Sequence, residues 1–303
     1  MQKTFVLAAF AAWLALPASA QQDFSKVEIK AEKVAGGLFM LTGAGGNIGV
    51  SAGPDGVFLV DDQYAPLTGK IKAAVAAISD KPIRFILNTH YHGDHVGGNE
   101  NLGKDGAVIV AHENVRKRMS TDQFLRLFNR TIPASPAGAL PLVTFAESVS
   151  FHVNGEDVDA VHLASAHTDG DVVVYFRKAN VIHAGDNLFI GRYPICDISS
   201  GGSVEGMIGA ADRLLAAGDE RTKYIPGHGP LGTKADVKAY RDMLAASRDA
   251  ILPLVKAGKT LDEVKAARPT AALDEKWGKP DVWTMVVYYS YGGKEPATPA
   301  PAK

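Results

Sequence analysis

Apolar and β-branched residues come in short runs separated by Gly and Asp along the first part of the chain, predicting strands at 37–42, 47–51 and 57–60. The spacing then changes. Ile71, Val75 and Ile78 recur three and four apart, which predicts an amphipathic helix over 67–78. Strands follow at 83–88 and 108–111, with a helix at 113–119 between the second strand and an irregular stretch. That stretch, 118–138, contains Pro133 and Pro136 and reads as a surface loop. Five further strands are predicted at 142–145, 149–153, 157–163, 172–176 and 180–183. Helices dominate afterwards, at 204–217, 234–255 (with Pro253 as a candidate break) and 261–267. Two strand-rich halves, each followed by helices, predict an α/β fold of two packed sheets with helices outside. No linker interrupts residues 27–291, so a single domain over 21–291 is expected, with a Gly/Pro/Ala-rich disordered tail at 292–303.

The first twenty residues stand apart. Lys3, an apolar run over 5–16 and then Ala18-Ser19-Ala20 form the three-part pattern of a secretory signal peptide cleaved after Ala20. The run is shorter than the ~20 residues a membrane span needs, which disfavours an anchor. A periplasmic or secreted protein is expected, with no membrane contact after cleavage. Composition adds little beyond this. Of 303 residues 46% are hydrophobic, enough to exclude a disordered chain. Lys and Arg number 32 against 33 Asp and Glu, which gives no basic face for nucleic acid. The single cysteine, Cys196, excludes a disulfide framework and Cys-rich metal modules, and reads as a structural or incidental thiol. A small-molecule substrate is the expected partner; nothing in the sequence sets an oligomeric state.

The chemistry is concentrated in Asn88–Asn99, NTHYHGDHVGGN, where His90, His92, Asp94 and His95 form His-x-His-x-Asp-His. Alternate residues on a strand point the same way, so His90 and His92 can present two imidazoles to one ion. Gly93 permits a turn that would bring Asp94 and His95 toward a neighbouring ion. Imidazole nitrogen and carboxylate oxygen are good zinc ligands. Further candidates lie at the ends of β-like runs beside glycines: His167 in AHTDGD, Asp186 in HAGD and His228 in PGHG. Each is weak alone, and together they complete the donors for two ions. Asp61 or Asp62, after the strand at 57–60, is a candidate to orient a histidine. His112, His152, His162 and His183 read as packed or solvated, and Trp277 and Trp283 as core.

The order His90-x-His92-x-Asp94-His95, His167, Asp186, His228 resembles the metallo-β-lactamase superfamily over about residues 37–240. The resemblance implies a four-layer αβ/βα sandwich of two mixed β-sheets with external helices and the site at one sheet edge. It implies that His90, His92 and His167 hold one Zn2+ and that Asp94, His95 and His228 hold a second, with Asp186 bridging the two or binding the second. Zinc lowers the pKa of a bound water to about 7, and Asp94 is the expected catalytic carboxylate that orients the nucleophile or takes its proton. One large β-lactamase group carries a cysteine where Asp186 stands and a lysine where Phe189 stands. Those departures point toward the wider hydrolases, including glyoxalase II.

The expected function is therefore an exported dizinc hydrolase attacking an amide or ester carbonyl, with the β-lactam ring of antibiotics as the leading substrate. The alternatives are another ester, thioester, lactone or phosphodiester, or a non-catalytic metal-binding protein. A branch of the superfamily uses iron. The expected walls of the substrate pocket are residues 43–47, 118–138 and 189–202.

Overall fold

The computed structural model describes residues 23–293. The predicted signal peptide at 1–20 and most of the predicted tail at 292–303 lie outside them. Strands β1 (Lys30–Ala35), β2 (Leu38–Thr42), β3 (Ile48–Gly53) and β4 (Gly56–Val60) form an antiparallel meander. Helix α1 (Thr68–Ala76) crosses to β5 (Ile83–Leu87), which runs parallel to β4. After α2 (Gly93–Val96) and α3 (Asn99–Lys104), β6 (Val108–His112) extends the sheet in parallel. Helix α4 (Glu113–Met119) and a small hairpin, β7 (Gln123–Leu125) and β8 (Arg130–Ile132), precede β9 (Val143–Phe145), the last strand of this seven-stranded sheet. The second sheet is β10 (Ser148–Val153), β11 (Glu156–Leu163), β12 (Asp171–Phe176), β13 (Val181–Phe189) and β14 (Lys223–His228), in that spatial order. Its last pair is parallel, joined through α5 (Val204–Ala217). Helices α6 (Lys234–Lys256), α7 (Leu261–Ala266), α8 (Ala271–Trp277) and α9 (Asp281–Ser290) complete the described chain.

Side-chain alternation along the strands builds three apolar layers rather than one. From β4, Phe58 and Val60 face the second sheet while Val57 and Leu59 face α1. From β12, Val172, Val174 and Phe176 meet them between the sheets, and Val173 and Tyr175 turn outward to α5 and α6. Each fully buried side chain of this size contributes roughly 1.5–3 kcal/mol. The order is helices, sheet, sheet, helices: the four-layer sandwich expected from the sequence.

Several local expectations are corrected. The strand before the His motif ends at Leu87, so His90 and His92 sit on the following loop and not on the strand. The β13 strand does not stop at His183; it runs through Asp186 to Phe189. Residues 118–138 are not a plain loop but contain the β7–β8 hairpin. Helix α6 passes Pro253 unbroken. Trp277 and Trp283 are buried, as expected, and the Trp283 indole N–H donates to Ser247 Oγ at 2.7 Å.

The parallel strands carry their C-terminal ends to one edge of the sandwich, where the two sheets are sewn together. Asn47 donates its side-chain amide to Pro226 O and Gly229 O, both at 2.9 Å, and its backbone N–H to Gly227 O at 2.7 Å. Val172 N donates to Thr89 O at 2.8 Å.

Candidate metal centre

All seven predicted ligands converge on that edge. The loop after β5 and the first turn of α2 bring His90, His92, Asp94 and His95; the β11–β12 connection brings His167, mid-β13 brings Asp186 and the end of β14 brings His228. In the first group His92 Nδ1 lies 3.1 Å from His90 Nε2 and 2.9 Å from His167 Nε2, with the three rings mutually edge-on. Tautomers follow from the opposite ring nitrogens. His167 Nδ1 donates to Ile195 O at 2.8 Å, and His92 Nε2 to Asp197 Oδ2 at 3.1 Å. Thr89 spends its hydroxyl proton on Asp61, so its oxygen accepts from His90 Nδ1 at 3.1 Å. Three nitrogen lone pairs therefore face one another, an arrangement that repels unless a cation lies between them.

The second group is Asp94, His95 and His228. His95 Nδ1 donates to Asp61 Oδ2 at 2.7 Å, and its Nε2 points into the centre. Asp94 Oδ2 lies 3.6 Å from His95 Nε2 and 3.4 Å from His228 Nε2. Asp186 touches both groups: Oδ1 is 3.1 Å from His95 Nε2, while Oδ2 is 3.6 Å from His167 Nε2 and 3.4 Å from His228 Nε2. His95 Nε2 and Asp186 Oδ1 are buried and make no hydrogen bond. Orphaned buried donors and acceptors are costly, and a cation satisfies both atoms at once. The donor set of imidazoles and carboxylates fits two ions with N/O ligation.

Electrostatics separates the groups. Burial holds His90 well below the ordinary histidine pKa and pulls His167 down to about 4. Burial acts against protonation at His228 too, but the Asp186 carboxylate overrides it and lifts the imidazole to about 9. His95 is raised in the same way by Asp186, Asp94 and Asp61 against its own burial. Asp94 is pulled down to about 2, because the neighbouring imidazoles outweigh the cost of its burial.

Supporting residues resolve some open choices. Asp61, not Asp62, orients a ligand; it also accepts Thr89 N and Thr89 Oγ1 at 2.7 Å each. The Asp62 side chain accepts Gly98 N at 2.8 Å and bonds no histidine ring among the described residues; only its backbone N–H meets His95, at the carbonyl, at 2.9 Å. Four supporting residues escaped the sequence reading. Asp197 holds His92 and accepts the Tyr91 hydroxyl at 2.6 Å. Asp171 braces the His167 turn through His167 N at 2.6 Å and Thr168 N at 2.9 Å. Gly46 and Gly227 admit the ligands: a Cβ would lie 2.1 Å from the His95 ring at the first and 1.9 Å from Asp186 Oδ1 at the second. The Thr-Asp-Gly-Asp turn was the available signal for Asp171; nothing local marks Asp197.

The remaining histidines stay outside. His112 and His162 stack at 3.6 Å, His183 bonds Asn47 O at 3.3 Å and His152 pairs with Asp157 at 2.7 Å. Cys196 is buried, with Sγ 3.4 Å from Ala166 O. Phe189 stacks on the His228 ring with centroids 5.1 Å apart. The ligands open into a cleft of about 790 Å³, lined by residues from all three expected walls.

The sequence that carries these donors matches a known family. The sequence profile described as the Metallo-beta-lactamase superfamily matches residues 41–229, more than half of the chain. The chain belongs to the metallo-beta-lactamase superfamily. It is accordingly a metallo-hydrolase in the broad sense, with His and Asp clusters placed for metal. Among curated relatives, the 2,4-dinitroanisole O-demethylase subunit alpha of Nocardioides sp. (strain JS1661) is 24% identical over 80% of this chain and 74% of that protein. A hydroxyacylglutathione hydrolase of Pelagibacter ubique is 27% identical over 52% of this chain and 57% of its own length. Among solved structures, a metallo-beta-lactamase from Pontibacter korlensis superposes with a TM-score of 0.59 at 18% identity, covering 72% of this chain and 99% of that one, a likeness of fold alone.

Proposed function

We propose that this protein is an exported dizinc hydrolase that cleaves an ester or thioester carbonyl of a small molecule. His90, His92 and His167 would hold one ion, Asp94, His95 and His228 the other, with Asp186 shared. The observation that carries the reading is the pair of converging, otherwise unsatisfied donor sets joined through that one carboxylate. Bound zinc would supply a nucleophile from water at neutral pH and polarise the scissile carbonyl. The chain does the positioning. Asp61 and Asp197 fix the tautomers of His95 and His92, so that the inward nitrogens carry lone pairs. Asp94, at 22% the most exposed carboxylate of the set, faces the cleft and is placed to accept a proton from the attacking water and return it to the leaving group.

Asp186 and Phe189, standing where a cysteine and a lysine mark one β-lactamase group, favour esters and thioesters over strong β-lactam turnover. The leader keeps β-lactam opening as the second reading, because that antibiotic target lies outside the cytoplasm. A panel of 4-nitrophenyl esters, thioesters, lactones and nitrocefin, run beside elemental analysis, decides between them. Ester or thioester turnover that EDTA abolishes and zinc restores supports the first reading; turnover of nitrocefin alone replaces it with the second. Stoichiometric zinc without any turnover leaves a metal-binding protein.

A further inference from the structure

The hairpin β7–β8 adds a feature that the metal centre does not use. Its register pairs Leu125 with Arg130, Phe124 with Thr131 and Gln123 with Ile132. Alternation therefore puts Leu125, Arg130 and Ile132 on one face, and all three line the cleft, together with Phe128 from the turn. Phe128 is 48% exposed. The hairpin is held in place: Arg126 N donates to Ser199 Oγ at 3.0 Å, Ala134 N donates to Asp122 Oδ1 at 2.9 Å, and Asn129 takes the left-handed turn at φ 46°. Arg130 is close enough to the Tyr64 hydroxyl to act on it electrostatically. Arg192 lines the same cleft from the segment after β13. Neither arginine has an acidic partner among the described residues, whereas Arg118, Arg177, Arg241 and Arg248 are each paired with a carboxylate. Two free guanidinium groups thus border the reaction site of a chain whose net charge is −1. Among the described residues, the only carboxylates lining the cleft, Asp94 and Asp186, belong to the ligand set.

We propose that the hairpin is the substrate-reading element and that the substrate is an amphipathic acid. Its apolar body lies against Leu125, Phe128 and Ile132, and its carboxylate engages Arg130, with Arg192 contributing charge from the segment after β13. A planar guanidinium suits a carboxylate bidentately, and its attraction is screened little inside a cleft. This rests on the hydrolase reading and narrows its substrate class.

The test compares 4-nitrophenyl valerate with mono-4-nitrophenyl glutarate, matched in chain length and different in charge, on the zinc-loaded protein with metal content measured for every variant. The wild type is expected to prefer the glutarate. R130A should cut the glutarate-to-valerate ratio of kcat/KM at least tenfold, through KM, at unchanged zinc content. R130A/R192A should cut it further, R130K should restore part of it, and F128A should raise KM for both esters together. A ratio unmoved in R130A/R192A, or an equal loss on both esters there, overturns the proposal while leaving the hydrolase intact. Absence of turnover on either ester in the wild type, with nitrocefin and thioesters also inert, removes the hydrolase reading itself.

Discussion

The two halves of the metal centre share Asp186 and little else. The His90, His92 and His167 half is built of imidazoles alone, whose outer nitrogens rest on a threonine hydroxyl, a carboxylate and a backbone carbonyl. The Asp94, His95 and His228 half mixes a carboxylate with two imidazoles that the shared Asp186, together with Asp94, drives toward protonation. One half is preformed as a set of lone pairs; the other must exchange protons for its ion. The same donor types, differently mixed, thus give one half that is ready for metal and one that is gated by pH.

Four experiments press on this difference. Asp186→Asn removes the one carboxylate common to both halves, and should lose both ions and at least about a hundredfold in activity, more than any outer partner costs. Asp94→Asn should lose only the second ion, so a metal count separates the two variants.

Acidity should separate the halves next. Below its pKa a histidine carries a proton that competes with metal. The second half, with His228 lifted to about 9 and His95 also raised, should gain affinity about tenfold per displaced proton per pH unit up to about pH 9. In the first half, with His90 held low and His167 down near 4, proton competition at those two ligands should stay weak from pH 6 to 9. Dialysis against a weak chelator at pH 6 and pH 9, followed by elemental analysis, should return about one ion per chain at pH 6 and two at pH 9. Equal loss from both samples would break the distinction.

Smaller effects are expected one shell out. Asp61→Asn should weaken the second half about 10- to 100-fold, and Asp197→Asn the first half by a similar factor, each readable by competition with a chromogenic chelator. Smallest is Gly46→Ala, whose methyl must displace the His95 ring, at a cost of about 1–3 kcal/mol in thermal unfolding. Gly93→Ala, with open space around its Cβ position, is the matched control and should stay within about 0.5 kcal/mol.

The comparison also marks what the sequence could say. Strands such as β4 and β12 were legible because each alternates between two apolar layers, and the ligands because histidines and aspartates recur beside glycines. The end of β13 was not legible. Gly185, Asp186 and Asn187 lay beyond the expected strand, yet they are buried in β13, where Asp186 faces the centre and the Asn187 side-chain amide donates to Ala184 O. His90 and His92 converge for a different reason from the expected one, a loop entering α2 in place of strand alternation. Asp197 reaches His92 across 105 residues, and no local pattern reports a contact of that span. Strand β1 was missed because four of its six residues, Lys30 to Lys33, are exposed at the sheet edge.

The ligands come from both halves of the sandwich: His90, His92, Asp94 and His95 from the loop and helix after β5 of the first sheet, His167 from the β11–β12 connection and Asp186 and His228 from strands of the second. Ions held between them would clasp segments 75 residues apart at His92 and His167, as a disulfide clasps distant segments of a chain. A chain with one cysteine would then have its staple in removable form, and chelation would loosen its architecture as well as silence its chemistry.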